Sequence, residues 1–135
     1  MSSLSLIAFI VFVICLVYYL YIKVNPTKKS DIKELYSQGL DMMINGLQRS
    51  AYNNFKKIVE LDSGNIKAYL RLGQVLRESG NASKALKIHK GLLIRKNLTS
   101  YDLSELHKNL ALDYFEMNKI DKAIDEASEI LKVDR

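Results

Sequence analysis

One interval governs the chain from about residue 31 onward: Gly39 recurs as Gly73 and Ala51 as Ala85, both at a separation of 34. The surroundings agree, since Tyr36-x-x-Gly39-Leu40 followed by Ala51-x-x-x-Phe55 answers Tyr69-x-x-Leu72-Gly73 followed by Ala85-x-x-x-His89. A third copy fits with Leu110-Ala111 in the Leu-Gly place, Tyr114 after it and Ala123-x-x-x-Ala127; its offset from the second is 38. The extra residues fall in 95–100, a stretch without helical periodicity, where a longer connection costs the packing little. A period of this length marks a unit that cannot bury its apolar face alone and stacks on its neighbours.

Each copy reads as two helices, near 31–45 and 48–61, 66–79 and 82–95, and 100–117 and 120–133, giving repeats of about 31–64, 65–98 and 99–135. Asp31 with Glu34, Asn65, Asn81, and Thr99 with Asp102 are N-terminal cap signals. Gly46, Gly64 and Gly80 fall in the turns. Small residues at Gly39, Gly73 and Ala111, and at Ala51, Ala85 and Ala123, let paired helices approach, while Leu35, Tyr69, Leu72, Leu76, Leu110 and Tyr114 fill the space between hairpins. No strand pattern competes. The expected fold is all-α: an N-terminal transmembrane helix followed by an α-solenoid of three helical hairpins.

That helix comes from the other constraint. The first 22 residues carry no charge, and Leu4 to Ile22 is an apolar run broken only by Ser5 and tyrosines. At 1.5 Å per residue it measures about 28 Å, against about 30 Å of bilayer hydrocarbon. A signal peptide would need a basic start and small residues at a cleavage site, whereas this run begins Met-Ser-Ser and ends Val17-Tyr18-Tyr19-Leu20-Tyr21. The expectation is an uncleaved anchor at 1–22, a linker at 23–30 containing Pro26, and a repeat domain at 31–135. Lys23, Lys28 and Lys29 follow the run and no cation precedes it, which places the N-terminus outside and the repeats in the cytoplasm.

Composition narrows the chemistry. Cys15 is the single cysteine, only His89 and His107 could supply imidazole, and no HExxH, GxGxxG or GxxxxGK[ST] occurs. The sequence therefore points to no catalytic residue, cofactor or metal, and to a non-enzyme. A net charge of +5 raises nucleic acid as a partner, but lysines are scattered and interleaved with acids, so none is expected. Other proteins are the expected partners. The helical faces that would line a concave groove carry Lys33, Tyr36 and Met43, Lys67, Gln74 and Arg77, and Lys108 and Phe115. Leu40, Leu70 and Leu112 read equally as groove or as packing residues. Arg77 is chosen as a contact because burial would cost its hydration unless it were paired. His89 reads as a partly buried ring making one hydrogen bond, His107 as facing the neighbouring hairpin, and Asp113-Tyr114 equally as a functional pair or as a surface acid beside a packing tyrosine. The last helix is expected to leave Ile124, Ala127, Ile130 and Leu131 partly uncovered, a surface for self-association or for a separate polypeptide.

A 34-residue helix-turn-helix with small residues at these positions and a Phe four residues after the alanine resembles the tetratricopeptide repeat. Ser63 and Asn97 stand where that repeat usually closes with proline, and no tryptophan opens any copy. More narrowly, the apolar run, Leu72-Gly73-x-x-Leu76-Arg77-x-x-Gly80, Ala85-x-x-Ile88-His89-x-x-Leu92-Leu93, Leu98-Thr99 and Asp113-Tyr114 look like the N-terminal part of the lipopolysaccharide assembly protein B family. The resemblance implies a tethered inner-membrane adaptor of Gram-negative bacteria that regulates lipopolysaccharide synthesis by promoting membrane-protease turnover of a biosynthetic deacetylase. A generic tetratricopeptide scaffold for another envelope complex is the alternative. The family's further repeats and its four-cysteine metal domain have no counterpart in these residues; a short paralogue, a split product and a fragment all fit.

Overall fold

A computed structural model describes residues 3–24 and 27–133, with side chains at 5–21 and 31–133. Among the described residues there are seven helices and no strand: α1 Ser3–Val24, α2 Thr27–Ile44, α3 Gln48–Leu61, α4 Ile66–Glu78, α5 Ala82–Leu93, α6 Ser100–Glu116 and α7 Ile120–Val133. They divide into two compact units, Met1–Glu34 and Leu35–Arg135.

In the first unit, α1 is a continuous helix whose described side chains are all exposed. The transmembrane helix expected over 1–22 is not reproduced in that form, because among the described residues no helix is long and apolar enough to cross a membrane. Asn25 and Pro26 lie outside the described residues, as do the side chains of Lys23, Lys28 and Lys29. The expected linker is mostly helical: α1 runs to Val24 and α2 begins at Thr27, so Asp31 stands inside a helix and caps nothing.

In the second unit the hairpins follow the expected spans within a few residues. Ala51, Phe55 and Ile58 of α3 and Ala68, Leu72 and Val75 of α4 are buried, as are Ala85 and Leu92 of α5. Leu70, Leu92, Leu106 and Leu110 form one buried cluster joining α4, α5 and α6, with Tyr69, Leu86 and Leu98 against it.

The turns explain why the hairpins close where they do. Each first helix ends with the same pair of bonds: Leu47 N–H to Met42 O (2.8 Å) and Gly46 to Met43 (3.1 Å), Asn81 to Leu76 (2.8 Å) and Gly80 to Arg77 (2.9 Å), Lys119 to Tyr114 (2.9 Å) and Asn118 to Phe115 (2.9 Å). This cap needs a left-handed residue, supplied by Gly46 (φ 73°), Gly80 (φ 81°) and, where the sequence offers no glycine, Asn118 (φ 57°). Asn65 accepts from the Ala68 amide and Thr99 with Asp102 forms a reciprocal capping box, as expected; Asn81 makes no side-chain cap. The longer connection before α6 is held down: Arg95 donates to the Ser63 carbonyl (2.6 Å) and lies 4.6 Å from the centre of the Tyr69 ring.

Gly91 of α5 has nothing within 4 Å of where a Cβ would sit. Gly91→Ala is therefore expected to raise stability by about 0.5–1 kcal/mol through helix propensity alone, and a urea titration followed by circular dichroism measures it.

Candidate protein-binding cleft

The first helices of the hairpins lie side by side in the second unit, and their shared face carries a cleft. One compartment of about 300 Å³ is lined by Tyr36 and Leu40 from α2, Lys67, Leu70 and Arg71 from α4, and Tyr101, Asp102, Glu105 and Asn109 at and along α6. A second, of about 360 Å³, shares Leu40 and Arg71 and adds Met43, Ile44, Gln74 and Glu78. Lys67, Leu70, Arg71, Gln74 and Glu78 follow the three- and four-residue spacing of a single helical face, which is why α4 contributes so much of the lining.

Arg71 is central to both compartments. Its Nη1 donates to Gln74 Oε1 (2.6 Å) and its Nε to the Tyr36 hydroxyl (3.4 Å), and among the described residues it has no carboxylate partner. Gln74 in turn donates to Glu78 Oε1 (2.7 Å). A guanidinium held by neutral groups keeps its charge and spare donors for an incoming carboxylate or carbonyl. Around it Leu40, Met43 and Tyr36 supply apolar surface, with Tyr36 braced edge-on against Phe55 at 5.5 Å. On the α6 side Asp102 is committed to Thr99 (2.7 Å), whereas the Glu105 carboxylate pairs with the exposed Lys108 at 3.6 Å. The arrangement suits a peptide segment that brings apolar side chains and at least one acceptor.

Of the sequence-derived groove residues, the structure brings Tyr36, Met43, Lys67 and Gln74 together in this cleft. Lys33 is exposed and belongs to the first unit. Lys108 and Phe115 are exposed on α6 and line neither compartment. Arg71, Tyr101 and Asn109 were not anticipated; Arg71 lies on the same stripe as Lys67 and Gln74, so that spacing alone pointed to it.

Arg77 needs correcting as a contact residue. Its side chain is only 9% exposed and is bound to Asp113 Oδ1 (2.8 Å), Asn109 Oδ1 (3.2 Å) and the Asn109 carbonyl (3.4 Å). The pairing that would permit its burial exists, with an acid read from the sequence as a surface group. Asp113 is fully buried and its other oxygen meets His89 Nδ1 at 2.5 Å. His89 is fully buried too, and its Nε2 faces the Leu70 carbonyl at 3.2 Å, so the ring has two partners where one was expected. A carbonyl only accepts, which puts a proton on Nε2; a second proton lies between Nδ1 and the carboxylate. With both ring nitrogens filled, His89 cannot serve as a base toward an outside substrate. The cluster instead staples α4, α5 and α6. His107 pairs with Glu126 of α7, inside its own hairpin, at 2.8 Å. On α7, Lys132 hydrogen-bonded to Glu129 holds that carboxyl below its ordinary range; the pair is exposed and adds little to stability. Ile124, Ala127 and Leu131 are exposed and Ile130 is half-buried.

No protein-family model matches the chain. Lipopolysaccharide assembly protein B of Escherichia coli K12 is 28% identical over 90 residues, covering 67% of this chain and 23% of that protein, and the same protein of E. coli O157:H7 matches equally. The chain thus spans about a quarter of the length of the curated relatives it matches. Among solved structures, the crystal structure of MamA superposes with a TM-score of 0.64 at 17% identity, covering 76% of this chain and 58% of that one. A point mutant of MamA gives 0.61 at 19% identity, covering 86% and 91%. At those identities the likeness speaks for the fold alone.

Proposed function

We propose that this tetratricopeptide-repeat protein, which resembles lipopolysaccharide assembly protein B and folds like MamA, is a membrane-tethered adaptor that recruits protein partners in the regulation of lipopolysaccharide synthesis. Arg71, free of any described carboxylate between the aromatic and aliphatic walls of the cleft, is the observation that carries the recruiting role. The tether rests on the uncharged run before residue 23, and the cytoplasmic side on Lys23, Lys28 and Lys29. Confinement at a bilayer raises the effective concentration of the cleft for membrane-bound partners without any new contact, which suits weak and exchangeable binding. The link to lipopolysaccharide synthesis rests on the similarity to the E. coli protein; candidate partners are a membrane protease and enzymes of that pathway.

Cross-linking in intact cells followed by purification from detergent-solubilised membranes tests the reading. The wild-type chain is expected to recover enzymes of lipopolysaccharide synthesis or a membrane protease. Arg71→Glu is expected to lower that recovery about tenfold, since an interfacial charge reversal costs on the order of 1.4 kcal/mol or more. Recovery of secretion or division components in their place would assign the chain to a different envelope complex.

A further inference from the structure

A second groove lies on the face made by α3 and α5, away from the lining of the cleft. It encloses about 640 Å³ between Gln48, Arg49 and Tyr52 on one side and Lys84, Lys87 and Ile88 on the other, with Leu76 and Ser79 also lining it. Tyr52, Leu76 and Ile88 are half-buried and form an apolar floor, while Arg49, Lys84 and Lys87 are exposed along the rim. None of the three cations has a carboxylate partner among the described residues. The sequence explains why: no acid occurs between Asp41 and Glu60, around Arg49, or between Glu78 and Asp102, around Lys84 and Lys87.

Gln48 adds an independent observation. Its Nε2 donates to Glu78 Oε2 at 3.3 Å, which fixes the amide, because the flipped form would set oxygen against carboxylate. Its Oε1 is then buried without a donor among the described residues, an arrangement that a folded chain disfavours. The groove therefore offers an apolar floor, three unpaired positive charges and one buried acceptor.

We infer that this groove is a second docking surface, which takes an acidic amphipathic segment of a partner protein. Aliphatic side chains would cover Tyr52, Leu76 and Ile88, carboxylates would pair with Arg49, Lys84 and Lys87, and an N–H would satisfy Gln48 Oε1. An anionic bilayer fits less well. Phosphate oxygens would pair with the rim cations, but a headgroup layer brings no aliphatic side chains to the half-buried floor of Tyr52, Leu76 and Ile88. The volume is that of a site for a few side chains. The groove shares no lining residue with the Arg71 cleft and meets it through the Gln48–Glu78 bond, so Lys84 and Lys87, which lie outside that bond, let the two surfaces fail separately.

The test uses the full chain in uncharged detergent and a fluorescent 14-residue helical peptide with leucines along one face and glutamates beside them. Anisotropy is expected to show saturable binding that falls about tenfold in Lys84→Glu/Lys87→Glu, as the exchange of two attractive rim pairs for repulsive ones implies. A peptide carrying lysine in place of glutamate is expected to bind that variant better than the wild type. Gln48→Met is expected to weaken the glutamate peptide several-fold while leaving the helical content unchanged, and Arg71→Glu to leave its affinity unchanged. The inference is overturned by absence of peptide binding, by equal binding of a glutamine-for-glutamate peptide, or by loss of binding in Arg71→Glu. It is likewise overturned if phosphatidylglycerol vesicles, and not the peptide, show the dependence on Lys84 and Lys87.

Discussion

Asp113→Ala is expected to lower the unfolding free energy of the repeat unit by about 3–5 kcal/mol, the size associated with removing one partner from a buried ion pair. The carboxylate is fully buried and meets Arg77 at 2.8 Å and His89 at 2.5 Å. Its loss strands a guanidinium that is 9% exposed and a ring with no solvent contact. Urea unfolding followed by circular dichroism gives the number. An apolar replacement separates the cost of a stranded charge from the worth of the cluster: Arg77→Met, His89→Phe and Asp113→Leu together remove every charge at once, and are expected to recover most of the loss, since well-packed apolar groups replace buried ion pairs at little cost. If Asp113→Ala costs less than about 1 kcal/mol, the cluster does not staple the second hairpin to the third.

Gly73→Ala is expected to destabilise by about 2 kcal/mol, although alanine is the better helix former by about 1 kcal/mol. A Cβ there would overlap His89 Nε2 and stand 2.5 Å from Cε1. The ring cannot yield, because its two nitrogens are held by the Leu70 carbonyl and Asp113. Gly39 is the equivalent position one repeat earlier; there a Cβ meets Phe55 Cζ at 2.8 Å, and no hydrogen bond pins that ring. Gly39→Ala is accordingly expected to cost less. A double-mutant cycle between Gly73→Ala and His89→Ala checks the cause, with a coupling above about 1 kcal/mol expected for groups in contact.

The same pairs show what the sequence made legible. Gly39 against Phe55 and Gly73 against His89 are the contacts that impose the 34-residue interval, so periodicity alone located the hairpins and their small-residue approaches. It did not disclose the polarity of the slot. His89 occupies a position that Phe55 fills with carbon, and its partners Arg77 and Asp113 come from other helices, joined by no local pattern. The choice of Arg77 as a contact failed on that same point: its burial was weighed, but the carboxylate that permits it stood in another hairpin. The start of α2 was missed because Pro26 reads as a stop, and α2 begins directly after it at Thr27. In the cleft, Tyr36, Met43, Lys67 and Gln74 come together because lining residues obey helical spacing. Arg71 obeys it too and was passed over.

The two joints of the array are built differently. Between the second and third hairpins, Arg77, Asp113 and His89 lock in directions fixed by their bonds; between the first and second, buried contact is made by carbon-rich groups such as Phe55, Ile58, Leu72 and Val75, which attract without preferred angle. Under load, such an array flexes where attraction is indifferent to orientation. Tyr36 and Arg71 face each other across that first joint, where the bonds that cross it lie at its partly exposed edge, so a guest that parts the cleft is expected to displace the first hairpin before it disturbs the third.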